Sequence, residues 1–78
     1  RVDNGLLLRS DLHKLFDRGY VTVTPEHHIR VSKRLREDFD NGEYYLRFDR
    51  NEIWLPRRPE DRPDPTFLEW HADVVFRR

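Results

Sequence analysis

Hydrophobic and polar positions change period several times along the chain, and each change predicts an element. Gly5–Leu8 is a short apolar run that reads as a strand. Leu12, Leu15 and Phe16 then recur at helical spacing, so a short helix is expected over Asp11–Arg18 with those three facing a core. Ser10 or Asp11 can cap it, because a short side-chain oxygen accepts an orphan backbone N–H, and Gly19 stands where a left-handed residue ends a helix. Tyr20–Thr24 is β-branched and alternating. Pro25 and Glu26 make a turn, and His28–Ser32 returns as the second strand of a hairpin. Ser32 can cap a helix over Lys33–Phe39, with Leu35 and Phe39 inward. Asp40-Asn41-Gly42 is a turn signal. Glu43–Phe48 and Glu52–Leu55 read as a second hairpin around Asp49-Arg50-Asn51. Residues 56–65 hold four of the five prolines and form a charged, extended connector. Pro65 suits the first turn of a final helix over 66–78, capped by Asp64. Its stripe is Phe67, Leu68, Trp70, His71, Val74 and Val75, with Phe67 and Trp70 as anchors.

The expected class is α+β, in one small domain. Seventy-eight residues bury only a modest core. The charged fraction of 38% exceeds the hydrophobic 36%, yet ten aromatic residues suffice to seed a core, which argues against disorder throughout. With no cysteine there is neither a disulfide nor a thiolate zinc site, which suits a reducing, cytoplasmic setting. No apolar run approaches the roughly 20 residues of a membrane span. Net charge is zero, which weighs mildly against strong autonomous DNA binding. Charge is nevertheless clustered, at Arg30, Lys33, Arg34 and Arg36 and again at Arg57 and Arg58. Thirteen of the fifteen cations are Arg, the side chain that contacts phosphate bidentately.

Candidate chemistry concentrates in residues 3–19. Asn4, His13 and Asp17 are set at fixed spacing across a strand entering a helix. His13 and Asp17 are four residues apart, so a helix presents them on one face. A lone His on a short helix is usually an ordinary residue. The surrounding Asn4-Gly5-Leu6-x-Leu8, Leu12-His13 and Leu15-Phe16-Asp17-x-Gly19 changes that, because the run resembles the second half of an HNH endonuclease motif. Asn4 matches the family's middle Asn and His13 its final His. The family's first His lies upstream of that Asn, and no His precedes Asn4 here. Arg9 and Leu12 stand where zinc-binding members carry cysteines, so the zinc-free variety is the one resembled.

The resemblance implies the strand-and-helix remnant of a ββα-metal motif, forming the C-terminal part of a nuclease that hydrolyses DNA phosphodiester bonds, of restriction type. Its cofactor would be a divalent ion such as Mg, Mn, Zn or Ni, with His13 as ligand and Asn4 bracing the loop that carries the general base. Without that base the polypeptide alone is expected to be inactive. Asn4-Gly5 is also a common turn dipeptide, and the two roles are compatible. Asp17 is a candidate second metal ligand, although a hydrogen bond into the Arg18-Gly19 turn is the favoured role. Arg9 and Arg18 are the candidate DNA contacts, set against a solvated arginine at Arg9. His27 and His28 are adjacent, point to opposite faces of a strand, and read as turn residues. His71 reads as a satisfied packing histidine. Two other classes stay open: a non-catalytic module that docks DNA or a partner through its Arg clusters, and a homodimer built on the 66–76 helix.

Overall fold

The computed structural model describes residues 7–39 and 42–78. The architecture is α+β: a two-stranded antiparallel sheet surrounded by short helices. Helix α1 spans Ser10–Asp17 and buries Leu12 and Phe16. The expected cap by Ser10 or Asp11 does not form: the helix starts one residue earlier, with Arg9 at the cap position and no side-chain cap bond, and Asp11, already inside the first turn, accepts only from the adjacent Leu12 N–H at 2.8 Å. At the other end Gly19 N–H bonds Phe16 O and Tyr20 N–H bonds Leu15 O, with Gly19 at φ 85°. This pair of bonds closes the last turn around a left-handed residue, as the glycine there predicts.

Strands β1 (Val21–Val23) and β2 (Ile29–Val31) pair with Val21 opposite Val31 and Val23 opposite Ile29. All four of those side chains are buried. The hairpin loop is closed by His27 N–H to Thr24 O, and His27 takes the left-handed conformation at φ 71°. His27 thus lies in the turn, while His28, just ahead of β2, forms an antiparallel bridge with Glu52. Helix α2 (Arg34–Asp38) follows, its Arg34 N–H bonded to Ser32 Oγ at 3.1 Å, and it buries Leu35.

The second hairpin does not form. Residues Gly42–Tyr45 are helical (α3) and Leu46–Phe48 continue as a 3-10 turn. The rings of Tyr44 and Tyr45 contact Phe48, four and three residues on, which is helical rather than alternating spacing. A short run of aromatic and aliphatic residues is compatible with either period, and the helical one lets Tyr45 and Leu46 pack on the core. The segment 50–53 pairs instead with the outer edge of β2. Ile29 N–H bonds Asn51 O, Ile53 N–H bonds His27 O, and Arg50 N–H bonds Ile29 O. Leu7 forms one antiparallel bridge with Trp54. That bridge is all that is described of the expected Gly5–Leu8 strand, since Gly5 and Leu6 lie outside the described residues.

The connector contains a single 3-10 turn, Pro59–Asp61. Helix α4 runs Pro65–Trp70, with Asp64 capping Thr66 N–H at 3.0 Å, and continues as a π-turn over His71–Val75. The apolar stripe is narrower than the sequence suggests. Leu68 and His71 are buried and Phe67 packs on the core, but Trp70 is 50% and Val74 66% exposed, so Trp70 is no anchor. The tail turns back: Arg77 N–H bonds Gly19 O at 2.7 Å, and Ser32 Oγ donates to Arg77 O. No helix among the described residues is long and apolar enough to cross a membrane.

Candidate functional site

The first candidate residue, Asn4, lies outside the described residues. His13 and Asp17 do share a face of α1, with His13 Nδ1 at 3.7 Å from Asp17 Oδ2. The other ring nitrogen is the informative one. His13 Nε2 is buried and, among the described residues, has no hydrogen-bond partner. A buried polar atom left unmade in this way costs about 1–3 kcal/mol, so it calls for a reason. A carboxylate beside Nδ1 favours the proton on Nδ1. Nε2 then carries the free lone pair, the state in which imidazole ligates a metal. Among the described residues no three His, Cys, Asp or Glu converge on one point, so His13 and Asp17 make at most part of a metal centre.

Beside this pair stand two cations four residues apart, Lys14 on α1 and Arg18 at its C-cap. They line an open cleft of about 210 Å³ with Asp11, Leu35, Phe39 and Tyr45. Arg9 is already engaged. Its guanidinium makes two bonds to Asp11, at 3.0 and 2.7 Å, and stands over the Phe48 ring. The hydrogen bonds to Asp11 raise the Arg9 pKa and hold the Asp11 carboxyl below the usual carboxylate range. A phosphate contact by Arg9 must compete with that pair, whereas Arg18 has no carboxylate partner among the described residues.

Residues 1–24 match the family model for HNH endonucleases. No curated protein and no solved structure matches the chain. The HNH match runs from before Asn4 through β1, so it takes in both residues of the His13–Asp17 pair and Gly19. It stops short of α2, α3 and α4.

The supporting residues beyond the HNH segment were only partly legible. His71 is 3% exposed and bridges two elements. Its Nε2 lies 2.7 Å from Phe16 O, a group that can only accept, so Nε2 carries the proton; Nδ1 then accepts from Thr22 Oγ1, also at 2.7 Å. The ring stacks flat on Phe16, with centroids 3.6 Å apart. It is therefore the satisfied packing histidine its surroundings suggest. Burial lowers its pKa, opposed by the Phe16 carbonyl and Asp17. Through Phe16 it fixes the last turn of the helix that carries His13 and Asp17. Nothing in the local sequence marks Thr22 and Phe16 as its partners, since they lie 49 and 55 residues away.

Proposed function

We propose that this chain contributes the metal-binding helix of an HNH-type endonuclease that hydrolyses DNA phosphodiester bonds, of restriction type. The observation that carries this reading is the buried Nε2 of His13, without a hydrogen-bond partner among the described residues, on a helix inside the HNH-matching segment. The residues present fit part of a site for a divalent metal ion. His13 would hold the ion through neutral Nε2. Asp17, beside Nδ1, would fix the ring's tautomer and orientation. When bound, such an ion supplies Lewis-acid polarisation of the scissile phosphate and stabilises the leaving oxygen. The chain's own work is to keep the imidazole oriented and braced: α1 is pinned at its end by Gly19 and by His71 on Phe16. Asn4 has the place of the residue that orients the general-base loop. Arg18, and Arg9 if released by Asp11, are the phosphate contacts nearest this helix in sequence.

The test reads the ligand directly. Mn²⁺ added to imidazole-labelled protein should broaden the His13 ring signals ahead of those of His27 and His28, and His13→Ala should remove the high-affinity component. Asp17→Asn should weaken the ion's affinity roughly 10–100-fold, the range found when an outer-shell partner of a ligating His is lost. A titration in which His13 responds no more than His27 and His28 would overturn the reading.

A further inference from the structure

The tail and the β2–α2 corner meet across a separation of more than forty residues. Arg30 and Lys33 from one side, Arg77 and Arg78 from the other, line an open cleft of about 250 Å³ with Ser32 and Phe76 at its base. Ser32 ties the two sides by donating to Arg77 O. No Asp or Glu side chain among the described residues lines this cleft. Arg30 is paired with Asp49 at 3.3 Å, and Arg78 Nη2 is 3.7 Å from Asp73. Arg77 and Lys33 have no carboxylate partner among the described residues. A chain of zero net charge thus concentrates an excess of positive charge in one place.

The cations do not converge. Arg77 Nε is held by Arg18 O at 3.0 Å and its guanidinium lies over the Tyr20 ring. Arg30 is held by Asp49, and Arg78 by Ala72 O at 3.0 Å. The three arginines are thus anchored at separate points on the rim, an arrangement that suits successive phosphates on a backbone and not one small anion. Arg and Lys contacts of this kind position a duplex without reading its sequence. The Arg77–Arg18 bond sets the cleft at the C-terminal end of α1. Arg18 is five residues beyond His13, or about 7.5 Å along the helix axis.

We propose that this cleft binds the phosphate backbone of duplex DNA and seats it beside the end of α1. The choice of DNA rests on the nuclease reading above; the cleft's affinity for a polyanion rests on the cleft alone.

The experiment is fluorescence anisotropy with a short labelled duplex, in EDTA, across a salt series, on the chain and on a Lys33→Ala/Arg78→Ala variant. Both side chains are at the surface and can be removed without opening the core; circular dichroism checks the fold. Loss of two phosphate contacts should flatten the slope of log K against log salt by about 2, and weaken low-salt binding about tenfold. Independently, duplex added to the unaltered chain should shift the backbone amide signals of residues 30–33 and 77–78. An unchanged slope, or shifts confined elsewhere, would overturn the cleft. Tighter binding of poly-glutamate or of an RNA hairpin than of the duplex would overturn DNA as its occupant. The Mn²⁺ response at His13, measured on the same double variant, reports the nuclease reading separately, so either idea can fail alone.

Discussion

Replacing Gly19 by Ala tests how the C-terminal tail is locked to α1. Gly19 has φ 85°, and a Cβ built there would lie 2.1 Å from Val75 O and 3.1 Å from Val75 C. Both contacts are with backbone, so no rotamer change relieves them. An L-residue in the left-handed region costs about 1–2 kcal/mol. Moving the 75–77 segment away also breaks the Arg77 N–H bond to Gly19 O, and strains those from Arg77 Nε to Arg18 O and from Ser32 Oγ to Arg77 O. At about 1 kcal/mol for the broken bond and about 0.5 kcal/mol for each of the two strained ones, the total comes to about 3–4 kcal/mol. A domain of this size has a stability of about 4–12 kcal/mol, from roughly 0.05–0.15 kcal/mol per residue. Gly19→Ala should therefore remove a large share of it and lower the melting temperature by at least about 12 °C, at 4–8 °C per kcal/mol. Urea and thermal unfolding followed by circular dichroism would measure this. A loss below about 1 kcal/mol would show that the tail shifts freely and that the close approach to Val75 holds nothing together.

Two further outcomes are expected. His71 is buried neutral, so its pKa in the folded chain lies below the 6.5 of the free imidazole. Below pH 6.5 the unfolded chain takes up a proton that the folded chain refuses; stability is therefore full above that pH and falls as pH drops through it. Melts between pH 8 and 5 should show the decline, and His71→Gln, which retains a donor and an acceptor, should flatten it while lowering stability throughout. At His27, held at φ 71° with its N–H and C=O both in backbone bonds, glycine and valine should diverge. The Val variant should be at least about 1 kcal/mol less stable than the Gly variant, because a β-branched residue fits the left-handed region poorly; equal urea midpoints would refute the turn assignment.

Much of the local structure was legible because its causes are local. Leu12, Leu15 and Phe16 at helical spacing with Gly19 beyond them specify α1; β-branched alternation around Pro25 specifies the hairpin; Asp64-Pro65 specifies the start of α4. These signals act through capping, backbone restriction and side-chain period, none of which needs a distant partner. The shared face of His13 and Asp17 followed from the same geometry.

What the sequence by itself determined, then, were the elements whose ends are marked and whose period is unambiguous, and the spacing of the candidate ligands. Tertiary structure decided the rest. The run Glu43–Phe48 suits a strand or a helix equally, and packing of Tyr45 and Leu46 on the core resolved it. Residues 50–53 found a partner in β2 because the edge beside Ile29 was open to them. Trp70 was left outside while His71 went in, since only the latter had a carbonyl and a hydroxyl waiting at Phe16 and Thr22. The burial of His13 Nε2, with no partner among the described residues, and the meeting of Lys33 with Arg77 are likewise properties of surroundings assembled from remote segments. Period and caps act over a few neighbouring residues, whereas burial and charge are set by whatever the folded chain brings alongside.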